Sequence, residues 1–528
     1  MAPSTDNDPQ VSTGKTKSLP DRLRELTPML AFMTLYLSSA AFNFGYDQGI
    51  VKETKLNFDQ QFGEWDPKSR SYVIPSYLQS IMTSTPYLGK LLGCWIATPI
   101  TERIGRKKMM LIIAILSYIG VSLQISATTA AQFTVGRIVC FFMAGFTVSI
   151  VPVYLGECSP PALRGLVGTQ LQLQITLSVM IAAFINYGVS NYDSPVQWKI
   201  TLAIAYLMPT IICGLWYRVQ ESPRWLVSQS RRSEAVASLR YFRKGNVPTE
   251  AIEAEIDLIA ELGNEGKGTW KEVFSKENRL RTGIACFVML GQQITGQVFS
   301  SQYGTFFYKQ QGIPNPFLIQ SLSTIVGLLT LCVTSLIIDG FGRRAVLLIG
   351  GFLQAIFMFC LGGVGLIPNL STSLKYLMVV FIILDGAAYN MSWAPLSYLT
   401  IGEVSNSRVR EKTAMLAVSV SIVTAFIVSF TLPYLMNAPY ANLGPKVGFI
   451  YGSCALIMAV VAFFLVPELK GRTLEEVDEL FASGISMRQF KHAVVQATET
   501  SNANSAKLIV PTASRKADEG GVATVEHV

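Results

Sequence analysis

The stretch PMLAFMTLYLSSAAFNFGYDQGI, residues 28–50, decides how this chain is read. Its 23 residues form a run long enough to cross, as a helix, a hydrocarbon core of roughly 30 Å. One charge interrupts it, Asp47, within Phe44-Gly45-Tyr46-Asp47-Gln48-Gly49. A carboxylate at that depth costs about 2.5 kcal/mol or more, so it is read as functional and expected to have a buried basic partner. Arg137 is the candidate. The competing reading places Asp47 just outside the bilayer, ending the helix with Gly45 and Gly49.

Composition widens this into a class. Of 528 residues, 50% are hydrophobic and only 15% charged, against about 25% charged in globular domains. The chain reads as a polytopic membrane protein. The net charge of +8 does not point to nucleic acid, because the basic residues lie in loops between apolar runs. The eight cysteines make no CxxC or metal-ligand spacing and fall almost entirely in apolar segments, so they read as small buried hydrophobes. No metal or cofactor is expected, nor any enzymatic site, since no nucleophile–base set occurs. Both histidines, His492 and His527, lie in the C-terminal tail. Proton chemistry inside the bilayer therefore falls to carboxylates.

Twelve candidate spans follow a polar stretch of residues 1–27, with no apolar segment and cleavage site ahead of the first. They divide the chain into a bundle over 28–218, a linker over 219–281 and a second bundle over 282–466. A short helix over 467–483 and a Ser/Thr/Ala-rich tail over 484–528, read as disordered, complete it. The expected fold class is all-α, with twelve transmembrane helices in two six-helix bundles. Loops 101–108, 157–165, 339–344 and 403–412 carry 10 Lys/Arg in 33 residues, and the opposite loops 8 in 57. The richer set, both tails and the linker are thus expected to face the cytosol. Within the linker, Ser222-Pro223-Arg224-Trp225 suits a helix start, with Ser as cap and Pro in the first turn.

The halves echo one another. Glu102-Arg103-Ile104-Gly105-Arg106-Lys107 recurs as Asp339-Gly340-Phe341-Gly342-Arg343-Arg344. Glu157…Arg164 recurs as Glu403…Arg410, and Glu221-Ser222-Pro223-Arg224 is echoed by Glu468-Leu469-Lys470-Gly471. The echoes follow the second, fourth and sixth spans of each half. Parallel repeats of six spans imply a pseudo-twofold axis along the membrane normal and a substrate site between the halves. The acids Glu102, Glu157, Asp339 and Glu403, paired with Arg103, Arg106, Arg164, Arg343, Arg344, Arg408 and Arg410, are expected to form a breakable cytosolic latch.

These residues closely resemble the sugar porter family of the major facilitator superfamily, over about 28–482. The stretches that carry the resemblance are Gly136-Arg137, Pro152-Val153-Tyr154-Leu155-Gly156-Glu157 to Arg164-Gly165, Glu221-Ser222-Pro223-Arg224-Trp225, Gln292-Gln293, Trp393-Ala394-Pro395 and Pro467-Glu468…Lys470-Gly471. The tail and central loop look like those of fungal members. The resemblance implies alternating access with one sugar or polyol bound between the bundles. It places Gln172, Gln292 and Gln293 on substrate hydroxyls, and Asn390 and Tyr398 at the pocket. Amides suit polyols, offering donors and an acceptor to adjacent hydroxyls.

The chain also departs from the family pattern. Val298, Gly327 and Ser421-Ile422 stand where the family carries amides or an indole, Gln297 lies beside Val298, and Tyr398 replaces a Trp. Glucose is therefore not the expected favourite. Lys90 and Asp385 are extra charges in the second and tenth spans, expected to face the interior or a watery cavity. Asp47 matches the position of the acid in proton-coupled members, which implies proton symport through Asp47 and Arg137; a structural pair is the alternative. Export of a fungal secondary metabolite and a non-transporting sugar sensor are the competing functions. The short tail argues against the sensor. The protein is expected to act as a monomer in the plasma membrane, and Asn369, in Asn-Leu-Ser on an outer loop, is a candidate N-glycosylation acceptor.

Overall fold

A computed structural model describes residues 27–51, 60–67, 71–159, 164–189, 197–243, 248–264, 268–313, 315–406, 408–437, 440–470, 472, 474–490, 494–495 and 508–509. The expected tails over 1–27 and 484–528 lie largely outside these residues, as do the side chains of Arg164 and Asp339.

The described residues are all-α apart from short two-stranded ribbons, one pairing Glu64–Asp66 with Ser71–Val73 between the first and second spans. The first half holds Pro28–Val51, Ser76–Ile104, Arg106–Ile125, Ala130–Cys158, Arg164–Val189 and Trp198–Arg218 as spans one to six. Linker helices Pro223–Ser228, Arg232–Phe242, Thr249–Asn264 and Trp270–Val273 follow. The second half begins with a seventh span in three pieces, Arg279–Ile294, Gln297–Gln302 and Gly304–Gln310. Next come Pro316–Phe341 and Arg343–Val364, then a tenth span in two pieces, Thr372–Met391 and Trp393–Val404. Arg410–Met436 and Val447–Leu465 are the eleventh and twelfth. Among the described residues nine helices are long and apolar enough to cross a membrane. The first, second and broken seventh complete the twelve. Large apolar side chains such as Leu329, Val333 and Leu336 are exposed on the outer faces, as a lipid-facing surface requires.

Local chemistry sets the ends. Thr129 caps the fourth span by accepting from the Gln132 amide at 3.2 Å, and Ser222 caps the first linker helix by accepting from the Trp225 amide at 3.3 Å. The tenth span breaks at Ser392, three residues before Pro395. Proline has no N–H to return to Met391, and its ring crowds that carbonyl.

The packing is paired by the repeat. The second span packs on the eleventh, and its counterpart, the eighth, packs on the fifth. The third packs on the sixth as the ninth does on the twelfth, and the first on the fifth as the seventh does on the eleventh. This is the pseudo-twofold arrangement read from the sequence echoes. Gly105 and Gly342 end corresponding spans with φ of 93° and 92°, values that L side chains resist.

Candidate functional site

Between the halves lies a cavity of about 160 Å³. The amides Gln172, Gln292, Gln293, Gln297 and Asn390 line it, together with Tyr398. Gln292 accepts from the Ser421 hydroxyl at 3.3 Å and from Gln293 Nε2 at 3.2 Å. Asn390 donates to the Gly386 carbonyl at 2.8 Å. A Cβ at Gly327 would stand 2.9 Å from the Asn390 amide nitrogen, so the missing side chain there is what admits Asn390 to the wall. The amides are held by weak or local bonds, leaving donors and acceptors free to meet hydroxyls.

Asp47 is buried, at 4% exposure, on the first span between Phe44 and Gln48, which both line the cavity. Gln124 Nε2 donates to Asp47 Oδ1 at 3.0 Å and Oδ2 has no hydrogen-bond partner. Arg137, also 4% exposed, is the charge that acts on it. The direct pair expected from the sequence is not closed. Arg137 instead donates to the Met82 carbonyl at 3.0 Å and lies over the Phe141 ring, 5.1 Å from its centroid. Each group instead finds its own partner: Gln124 stands at the carboxylate and the second-span backbone claims the guanidinium, while Asp47 Oδ2 and Arg137 Nε keep no hydrogen-bond partner. Asp385 does not line the cavity. It is buried behind Ser300, which does, and accepts from that hydroxyl at 2.8 Å.

At the end expected to face the cytosol, each half closes one charged set. Arg106 grips Glu157 with Nε at 3.0 Å and Nη2 at 2.9 Å. Arg343 meets Glu403 with Nε at 3.2 Å. Glu221 accepts from the amides of Arg106, at 2.9 Å, and Lys107, at 3.1 Å; Glu468 does the same for Arg343, at 3.0 Å, and Arg344, at 3.1 Å. A carboxylate at a helix N-terminus meets unsatisfied amides and the favourable end of the dipole. Burial pushes the Glu221 carboxyl up, and those amide bonds oppose the shift.

Both of these pairs close within one half, Arg106 with Glu157 in the first and Arg343 with Glu403 in the second. Arg103 is exposed, the Glu102 carbonyl accepts from Trp225 Nε1 at 2.9 Å, and Arg344 donates to the Phe463 carbonyl at 2.6 Å. Arg408 donates its backbone amide to Asn406 Oδ1 at 3.0 Å, and Arg410 opens the eleventh span. Contacts across the halves here come from Trp95, which donates to Ser419 at 2.9 Å and stacks on Trp270 of the linker. Lys412 adds a bond to the Gly268 carbonyl.

The profile of the family described as "Sugar (and other) transporter" matches residues 33–481. This chain belongs to that family. A high-affinity glucose transporter of Schizosaccharomyces pombe, ght5, is 31% identical to it over 468 residues, covering 86% of this chain and 85% of the relative. The high-affinity gluconate transporter ght3 of the same yeast is 30% identical, covering 86% of this chain and 84% of its own length. Hexose transporter HXT8 of Saccharomyces cerevisiae is 27% identical, covering 88% and 84%. Among solved structures, the proton:xylose symporter XylE of E. coli superposes with a TM-score of 0.71 at 21% identity, covering 86% of this chain and 99% of XylE. The fold is therefore the major facilitator fold.

Within this sugar transporter family member, the second-half wall is richer than the departures from pattern suggested. Val298 is fully buried in the core, while Gln297 reaches the cavity beside it. Gln320, Ser323 and Thr324 add polar groups from the eighth span. The sequence reading missed them, although with Gly327 they form a polar stripe at three- and four-residue spacing in an apolar helix. Tyr87 on the second span, Gln48 and Thr176 also line the cavity unanticipated, and Lys90, three residues from Tyr87 and one of the two extra charges, lines it as well.

Proposed function

We propose that this transporter imports a sugar or related polyol together with a proton, by alternating access. Asp47 carries the reading: a buried carboxylate with one free oxygen, on the same span as two cavity residues. In the ionised state Gln124 and the field of Arg137 hold it. A proton arriving from outside neutralises Asp47, removing a charge whose burial costs about 2.5–3.5 kcal/mol at mid-membrane. Arg137 then loses the charge opposite it and is left on Met82, in the second span. The first and second spans carry Phe44, Gln48, Tyr87 and Lys90 of the cavity, so the protonation state of Asp47 and the occupancy of the cavity bear on the same two helices. Substrate closes the outer side, the cavity opens to the cytosol, and both ligands leave.

Gln172, Gln292, Gln293, Gln297, Asn390 and Tyr398 contact the substrate hydroxyls in this reading. The names of the relatives, transporters of glucose, hexose and gluconate, support a hydroxyl-rich substrate. The charged sets on Glu157 and Glu403 stabilise one conformation of each half. The protein works as a monomer in the plasma membrane with both termini in the cytosol, and Asn369, exposed on its loop, accepts N-glycan outside.

Asp47→Asn tests the coupling in proteoliposomes. Substrate-driven proton uptake should vanish while counterflow of labelled substrate persists. Accumulation against a gradient in the mutant would remove Asp47 from the coupling step.

A further inference from the structure

Lys90 has no role in the reading so far. It is the sole charged residue among the described residues lining the cavity, and among those residues no carboxylate pairs with it. Its ammonium lies 4.4 Å from the centroid of the Phe44 ring. A ring face is a partial substitute for an anion and leaves the other sides of the ammonium available. The placement is built into the fold. A Cβ at Gly89 would stand 2.4 Å from the Ile138 carbonyl oxygen, and one at Gly93 2.2 Å from that of Phe142. The second span is therefore pressed backbone to backbone on the fourth. That fixes its rotation and turns Tyr87 and Lys90, one turn apart, to the cavity.

We propose that the cavity takes a sugar acid, an aldonate or uronate of about hexose size, with Lys90 binding its carboxylate. This rests on the transport reading and names its substrate class. A neutral sugar entering the site would displace water from an ammonium and return no counter-charge, which is costly in a low-dielectric interior. A carboxylate neutralises it with a charge-assisted hydrogen bond. One cation matches a monoanion; a sugar phosphate dianion would leave an uncompensated charge. The remaining wall is neutral, and its amides, Gln172, Gln292 and Gln293 among them, suit the hydroxyls of the same molecule. Symport of a monoanion with one proton carries no net charge, so its uptake is indifferent to membrane potential. Symport of a neutral sugar is not.

The test uses the full-length protein in a transporter-null yeast and in proteoliposomes, with labelled D-gluconate, D-galacturonate and D-glucose. Wild type should take up at least one acid, competed more strongly by unlabelled acid than by glucose and unchanged by a clamped potential. Lys90→Gln should raise the KM for the acid roughly tenfold to a hundredfold, the scale of one lost charge-assisted bond, without raising that for glucose. Lys90→Arg should restore acid uptake in part. Glucose outcompeting both acids, or Lys90→Gln affecting acid and glucose alike, overturns the assignment while leaving sugar transport standing. If protein that reaches the membrane moves none of the three, the transport reading fails and this inference with it.

Discussion

Truncating Arg106 to Ala removes a two-pronged grip on Glu157 whose size can be worked from the structure. The two bonds are 3.0 and 2.9 Å, and each side chain is only 10% exposed. A hydrogen bond to a charged group contributes about 1.5–3 kcal/mol net. The two bonds share the desolvation of one ion pair, so their coupling should be about 2–3 kcal/mol and not double a single bond. The counterpart Arg343–Glu403 makes both contacts to one oxygen, at 3.2 and 3.1 Å, with side chains 15% and 20% exposed. Its coupling should be smaller, about 1–1.5 kcal/mol. Double-mutant cycles on each pair, read by thermal unfolding in detergent, measure both values. At about 2–4 °C per kcal/mol for a unit of 150–250 residues, the first coupling corresponds to roughly 5–10 °C. Neither pair lines the cavity, so both arginine variants should slow turnover and leave substrate affinity unchanged. A coupling below about 0.5 kcal/mol at Arg106, a stronger coupling at Arg343, or weaker binding at unchanged turnover would refute the reasoning.

Gly89→Ala should lower thermal stability by about 1–3 kcal/mol, because the new methyl would stand 2.4 Å from the Ile138 carbonyl oxygen of a packed backbone; a melting point equal to wild type would show that the second span can back away. Glucose should not be the tightest competitor of labelled substrate, and Gln292→Ala should weaken substrate binding about threefold to tenfold; glucose winning the competition with Gln292→Ala harmless would remove the proposed pocket.

Much of the architecture is legible along the chain because a bilayer imposes one-dimensional rules. Backbone groups in lipid must bond within their own segment, so the length of an apolar run already sets a helix. Ser222-Pro223 and Gly105 and Gly342 announce ends and turns through their own dihedral and bonding preferences. The echo of Glu102-Arg103-Ile104-Gly105-Arg106 in the second half was enough to imply the twofold pairing of spans. Asp47 stood out because a carboxylate in a run of apolar residues needs no neighbours to be conspicuous.

What surrounds Asp47 was not legible. Opposite charges on two spans suggested a closed pair, yet Gln124 stands at the carboxylate and the Met82 carbonyl holds Arg137. Lys90 and Asp385 looked alike as stray intramembrane charges, and folding separates them, one into the cavity and the other behind Ser300. The latch acids and bases were legible only as a set; that Arg106 meets Glu157 and Arg343 meets Glu403 follows from how the second, fourth and sixth spans of each half converge.

By itself, then, the sequence determined the number of spans, their repeat and the residues able to hold charge or hydroxyls. Only the tertiary structure decided which faces meet. In water, an apolar stripe marks the buried side of a helix; in a membrane, lipid and neighbouring helices are equally apolar, so periodicity says little about rotation. That rotation is set by close contacts such as Gly89 on Ile138, which join residues far apart in the chain, and it is what brings Lys90, Gln172 and Gln292 to a single cavity.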